Sequence, residues 1–257
     1  MVRHLLEARS IDWSDVLTIR EAGSTAHGIS VGLDDLDFTV VRIESFEELV
    51  VSVDRAQSQM IRTKPEGERS EPGDIDLNVY TLRRFTRLAA KGNPSILMIL
   101  FAPDEMKMLD RSFPATRLIE VTRTRRAGDA YLGYLHKQLD KWRGKISAGT
   151  NRPELVASHG YDTKFAAHAV RLGIQGVEYL STGRISLPME EPVAAKIRSL
   201  RAGEIPEVEA LAWVHKVEKD LINAHATSKL PESADMDKVQ AFLIDEYRQR
   251  VKPRGTR

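Results

Sequence analysis

The sequence predicts an α+β protein: a small mixed β-sheet with flanking helices, followed by an all-helical unit. Three observations carry this prediction. Residues 36–41 and 74–80 alternate polar with apolar, the period of a strand that buries one face. From about residue 113 that alternation gives way to apolar spacings of three and four, the period of a helix. Gly and Pro then punctuate the chain at Gly183, Pro188, Gly203 to Pro206 and Pro231. The boundary is placed accordingly, giving units of 1–112 and 113–257.

Taken in order, Val16-Leu17-Thr18-Ile19 reads as a short strand running into the turn Gly23-Ser24, and 36–43 as its neighbouring or hairpin-like partner. Ser45 opens a short helix as N-cap, with Glu48 completing a capping box. Residues 62–73, RTKPEGERSEPG, are polar and rich in Pro and Gly, and read as a loop. Asp74 to Tyr80 is the third strand. Thr81 caps the helix of TLRRFTRLAAKG, in which Leu82, Phe85 and Ala89 line one face before Gly92 stops it. Asn93-Pro94 restarts a helix with Pro in its first turn. Further helices are expected at roughly 123–143, 162–181, 190–202, 206–226 and 235–250.

Composition excludes several chemistries. The 257 residues contain no cysteine, so disulfides, thiolate metal sites and cysteine nucleophiles are ruled out, and any metal must sit on oxygen or imidazole. With 38 Lys and Arg against 37 Asp and Glu, no global field favours nucleic acid, although local patches can still bind it. No apolar run approaches the length needed to cross a bilayer, and MVRHLLEARS lacks the apolar core of a signal peptide. A soluble, cytoplasmic protein without a membrane partner is expected.

The stretch AGSTAHGISVGLDDLDFTV carries the chemistry. On a strand, Asp35, Asp37 and Thr39 share one face while Leu36, Phe38 and Val40 share the other. Two carboxylates are then about 6 to 7 Å apart, twice the rise per residue. At an effective dielectric near 20 they repel by roughly 3 kcal/mol. On the third strand Asp74, Asp76 and Asn78 share a face, so Asp76 can meet Asp35 and Asp37 if the two strands are adjacent; Asp74 is the alternative third acid. Such a cluster is tolerable around a divalent cation, and oxygen-only ligation suits Mg²⁺ (or Mn²⁺). Mg²⁺ keeps few protein ligands and fills its shell with water and phosphates, which points to a nucleotide. The Gly-Ser turn is complementary: Gly23 lets the backbone approach a phosphate, Ser24 offers a hydroxyl, and a helix starting there presents free N–H groups.

Strand, Gly-Ser turn, helix, Asp-x-Asp strand and later Asp strand together resemble the nucleotidyltransferase superfamily related to DNA polymerase β. The resemblance implies that Ser24, after Gly23, holds the triphosphate, that Asp35 and Asp37 bind two metal ions, and that Asp76 helps activate an acceptor hydroxyl. The phrases GSTAHG, DLNVYTLRRFTRLAAKGNPSILMILF, HGYDTKFAAHAVRLGIQGVEYLSTGRISLP and SKLPE look like the nucleotidyltransferases common in phage genomes, a group associated with RNA repair. That likeness spans most of the chain; if the protein is phage-encoded, it implies the host cytoplasm. It makes 1–112 a nucleotidyltransferase domain and 113–257 a helical substrate-binding domain. Two positions depart from the pattern: Thr25 stands where Arg is frequent, which removes a phosphate contact, and Asp34 stands where Ser is usual, which adds charge.

Basic side chains are candidates for phosphate contact. Arg83, Arg87 and Lys91 recur every four residues, a spacing that also describes a solvated face. Lys91 and Asn93 belong to the KGNP phrase and are assigned a substrate role. On the helix capped by Asp162 or Thr163, Lys164, His168 and Arg171 share one face, either toward an anion or toward solvent. Tyr161 can stack on a base or pack; His27 can pack, cap or touch a ligand. Trp13, Trp142 and Trp213 read as packing anchors. The reading is a nucleotidyltransferase that moves a nucleoside monophosphate from an NTP to a hydroxyl of RNA, tRNA, a protein or a small molecule. Its rivals are a non-catalytic nucleotide sensor or antitoxin-like partner, and an RNA-binding adaptor. The oligomeric state is not legible.

Overall fold

In the computed structural model, residues 1–32, 35–51, 58–65, 68, 70–144 and 152–251 are described. A short helix, α1 (Val2–Glu7), leads into β1 (Val16–Glu21), which ends on the four-residue turn of helix α2 (Gly23–Ala26). Next come β2 (Leu36–Arg42), α3 (Phe46–Val51), β3 (Ser58–Arg62) and β4 (Ile75–Thr81). Helices α4 (Leu82–Ala89) and α5 (Pro94–Phe101) follow, then β5 (Lys107–Asp110). The remaining helices are α6 (Ala115–Thr122), α7 (Ala127–Trp142), α8 (Pro153–His159), α9 (Thr163–Thr182), α10 (Val193–Arg201), α11 (Glu207–Thr227) and α12 (Met236–Arg250).

The five strands form one sheet in the order β3-β4-β2-β1-β5. Strands β2 and β4 run parallel, and the other pairs are antiparallel. Alternation assigns the faces as expected. Phe38 and Val40 of β2 join Ile75, Leu77 and Val79 of β4 in a cluster closed by Val2 and Leu6 of α1. Asp37, Thr39, Asp76 and Asn78 therefore point to the other side. Lower on that side Val41 enters a larger core with Phe85, Ile96, Tyr131, Val170, Val214 and Phe242. This core draws residues from both sides of position 112, so the sheet and the helices are packed together.

Local signals account for the element ends. Ser45 and Glu48 bond reciprocally, each backbone N–H donating to the other's side chain at 2.9 and 3.2 Å. Thr81 accepts from the Arg84 N–H, and Asp162 rather than Thr163 caps α9, accepting from the N–H groups of Lys164 and Phe165. The KGNP phrase is a helix junction. Gly92 adopts φ +67°, and a Cβ there would lie 2.4 Å from Ala127, while Asn93 accepts from Ser95 and Ile96 at the start of α5.

Strands β3 and β5 and helices α1, α6 and α8 are not among the expected elements. Both strands are sheet edges with one pairing partner each, and their large exposed apolar residues, Met60 and Met108, alternate with Ile61 and Leu109, which face the core. An edge strand is held chiefly by its neighbour's backbone and needs no apolar face of its own. Helix α8 buries no residue, so it has no stripe to read. The helix expected from 123 begins at Ala127, after α6 has ended at Thr122.

Candidate active site

The parallel register between β2 and β4 sets Asp37 directly beside Asp76. Asp35 lies just ahead of β2, on the same side. One carboxylate oxygen from each of the three falls within 4.8 Å of the other two, and all three residues are half-buried. Asp76 is held from the other flank by its register partner on β3: Arg62 donates from Nε to Oδ1 at 3.0 Å, and Ser70 Oγ donates to Oδ2 at 3.2 Å. Asp74 is engaged elsewhere. It accepts from the Glu71 N–H at 2.7 Å and from Thr63 Oγ1 at 3.0 Å, and the Glu71 bond leads the causes that hold its carboxyl below the usual range. Geometry therefore groups Asp76, not Asp74, with the pair.

Gly23 is required here for a reason that its sequence context did not disclose. Its φ is +68°, and a Cβ added to it would lie 2.0 Å from Asp37 Oδ2. The close approach is to the carboxylate itself, so the missing side chain lets Asp37 and the Ser24 turn occupy adjoining space. Both line a cleft of about 470 Å³. The sheet end contributes Gly23, Ser24, Asp35, Asp37 and Asn78, while α7 contributes Tyr134 and Gln138 and α9 contributes Lys164, His168 and Arg171. Carboxylates and cations thus enter one cavity from separate elements.

The α9 residues share a face as expected, but that face is not a solvated stripe. Lys164 is exposed at the cleft, whereas Arg171 is only 9% exposed. Burial holds the His168 pKa well below its ordinary value, and the charges of Arg171, Lys164, Lys141 and Arg201 push it further down. His27 is also depressed, by burial first and then by Arg171 and His168. Both imidazoles are neutral in the folded protein at neutral pH, whereas in the unfolded chain they take up protons below about pH 6.5. The unfolded state then binds more protons than the native one, so the stability present above that pH is lost as the pH falls. Urea midpoints are expected to drop between pH 7 and pH 5, as the unfolding free energy falls by at most about 1.4 kcal/mol per pH unit for each histidine. A midpoint that stays flat across that interval contradicts the burial of neutral imidazoles.

Three expected nucleotide contacts, Tyr161, Lys91 and Asn93, lie outside the cleft lining. Tyr161 is buried, stacks on Trp142 with ring centroids 5.3 Å apart, and donates its hydroxyl to the Ile205 carbonyl at 2.6 Å. It packs rather than offering a face to a base. Lys91 is exposed beyond the end of α4. Asn93 reaches only the rim, donating from Nδ2 to the Tyr134 hydroxyl at 2.9 Å. Arg83 is paired with buried Glu44 at 3.4 Å. Tyr134, Gln138, Gln175 and Arg62 were not foreseen. Each stands among ordinary helix or edge-strand neighbours, and only the tertiary arrangement distinguishes it.

A mixed sheet bearing three converging acids beside a Gly-Ser turn defines the class of a DNA polymerase β-like nucleotidyltransferase. Residues 4–245 match the RlaP family, described as the RNA repair pathway DNA polymerase beta family, and the chain belongs to it. An uncharacterized 38.9 kDa protein from the nrdC-mobD intergenic region of Enterobacteria phage T4 is 27% identical over 129 residues. That match takes in 49% of this chain and 38% of the phage protein, so the chain spans well under half of that relative. Among solved structures, spectinomycin adenyltransferase AAD(9) from Enterococcus faecialis with ATP and spectinomycin aligns at 13% identity and TM-score 0.43, covering 93% of this chain and 96% of that one. A nucleotidyltransferase-like protein from Exiguobacterium sibiricum 255-15 aligns at 11% identity and TM-score 0.30, covering 98% and 80%. Among the described residues no helix is long and apolar enough to cross a membrane.

Proposed function

We propose that this nucleotidyltransferase moves a nucleoside monophosphate from an NTP to an acceptor hydroxyl and releases pyrophosphate, with divalent cations held by Asp35, Asp37 and Asp76. The observation that carries the reading is the approach of those three carboxylates within 4.8 Å, beside the turn that bears Ser24. The donor set fits hard cations: it is all oxygen, half-buried, and self-repelling without positive charge between its members. When bound, Mg²⁺ or Mn²⁺ ions would neutralise charge developing on the transferred phosphoryl group.

The remaining roles fall to side chains of the chain itself. Asp76, steadied by Arg62 and Ser70, would accept the proton of the attacking hydroxyl. Ser24 would donate its hydroxyl to the triphosphate, and Lys164 would orient the departing pyrophosphate. Residues 1–112 would then supply the acids and 113–257 the cations of one cleft. The family's RNA repair description favours an RNA end as acceptor, and the soluble cytoplasm as the place of action. The RNA-adaptor reading gains nothing from the structure, because Arg83 is already engaged with Glu44.

The deciding experiment incubates the protein with each α-labelled NTP, Mg²⁺ or Mn²⁺, and a mixed pool of RNA, protein and metabolites. Pyrophosphate release with label on one fraction identifies the acceptor. Saturable NTP binding without pyrophosphate under every condition contradicts the proposed reaction.

A further inference from the structure

Arg171 carries a charge for which the described residues provide no counter-ion. It is 9% exposed and lines the cleft, and among the described residues no carboxylate pairs with it. Burial lowers its pKa only to about 10, so the guanidinium remains protonated at neutral pH. Its neighbours add positive charge: Lys164 lies two turns away on the same helix face, and Arg201 lines the same cleft. The Tyr131 hydroxyl, whose field reaches Arg171, is buried and makes no hydrogen bond among the described residues. A buried ion is tolerated when something of opposite sign completes it. Here the open side is the cleft.

The guanidinium is held by a chain of hydrogen bonds with a single consistent assignment. Arg171 Nη1 donates to Gln175 Oε1 at 2.8 Å, and arginine can only donate. The Gln175 amide is thereby oriented with Nε2 toward His27 Nδ1, 3.1 Å away. An amide N–H₂ also only donates, so His27 Nδ1 must be the acceptor and its ring proton resides on Nε2. His27 ends α2, the turn that carries Ser24, and its carbonyl accepts from the Met189 N–H at 3.0 Å. The chain therefore ties α9 to the Gly-Ser turn through the interior.

We propose that Arg171 is an anion-binding residue for the triphosphate of the incoming nucleotide, and that Gln175 and His27 are positioning residues that aim its guanidinium and link it to the Ser24 turn. The choice of a triphosphate rests on the nucleotidyltransferase reading; the anion site rests on Arg171 and its surroundings.

The test measures binding of inorganic tripolyphosphate in EDTA, so that no metal ion contributes. The wild type and an Asp37→Asn variant are expected to bind saturably, the variant at least as tightly because one repelling charge is gone. Gln175→Glu is nearly isosteric and gives Arg171 an internal carboxylate. It is expected to weaken tripolyphosphate by about tenfold or more while the melting temperature holds or rises. Arg171→Lys should retain part of the affinity that Arg171→Met loses. In ¹⁵N NMR spectra His27 should show an unprotonated Nδ1. The proposal is overturned by unchanged affinity in Gln175→Glu, by no saturable binding in both wild type and Asp37→Asn, or by an Nδ1-protonated His27. Nucleotidyl transfer is assayed separately, so its absence alongside intact tripolyphosphate binding faults the reaction and leaves the anion site standing.

Discussion

Replacing Asp37 by Asn is expected to abolish pyrophosphate release while leaving the fold as stable as before, or more so. Asn matches Asp in size, so the contact with Gly23 is preserved while the charge shared with Asp35 and Asp76 is removed. In metal-free buffer that charge is a cost. Two carboxylates about 6 Å apart repel by roughly 3 kcal/mol at an effective dielectric near 20. Relief of even about 1 kcal/mol raises the melting temperature of a chain this size by about 2 to 4 °C. Catalysis moves the other way, because loss of one cation ligand removes several kcal/mol of charge stabilisation. A fall of about 4 kcal/mol corresponds to on the order of a thousandfold in rate. Turnover within tenfold of wild type, measured by pyrophosphate release, contradicts the assignment; a lowered melting temperature contradicts the electrostatic account of the cluster.

Gly23→Ala is expected to damage both stability and activity. The residue sits at φ +68°, where an L side chain costs about 1 to 2 kcal/mol. Its new methyl would also meet Asp37 Oδ2 at 2.0 Å and Asp37 Cβ at 2.9 Å. Overpacking of this kind typically adds about 1 to 3 kcal/mol. Together these predict a melting temperature lower by roughly 5 to 15 °C. Asp37 must shift to make room, and a displacement near 1 Å in a reacting constellation costs about a hundredfold in rate. The cause can be isolated by a double-mutant cycle with Asp37→Ala, which removes the nearest clashing atoms. Part of the lost stability should return in the double variant. Strict additivity would show that the clash with Asp37 is not the source.

Much of this architecture is legible in the residues, for reasons that differ from element to element. The alternation in 36–41 and 74–80 identifies both central strands and their faces, because a central strand with one polar end must sort its side chains by burial. The faces then place Asp37 and Asp76 on one side once the strands are neighbours, as they are. Ser45 with Glu48, Thr81, Asn93 and Asp162 mark helix starts through side-chain bonds that involve only local chain. Strands β3 and β5 leave no such mark, being held by a partner's backbone. The site is legible by half. Its acids lie on patterned strands, whereas Tyr134, Gln138 and Arg171 acquire meaning only when α7 and α9 are brought over the sheet end. Tyr161 shows the converse, an aromatic in a suggestive phrase that is consumed by Trp142 and Ile205. Gly23 lies between: its turn is evident, but the close approach it permits is to Asp37.

The central claim is that Asp35, Asp37 and Asp76 hold divalent cations together. Crystals grown with Mn²⁺ and a non-hydrolysable NTP analogue, measured at the manganese absorption edge, test it most directly. Anomalous peaks between the three carboxylates, lost in Asp37→Asn crystals, are the predicted result. Ordered nucleotide with no anomalous density there, or with Asp76 still bound only by Arg62 and Ser70, would contradict it.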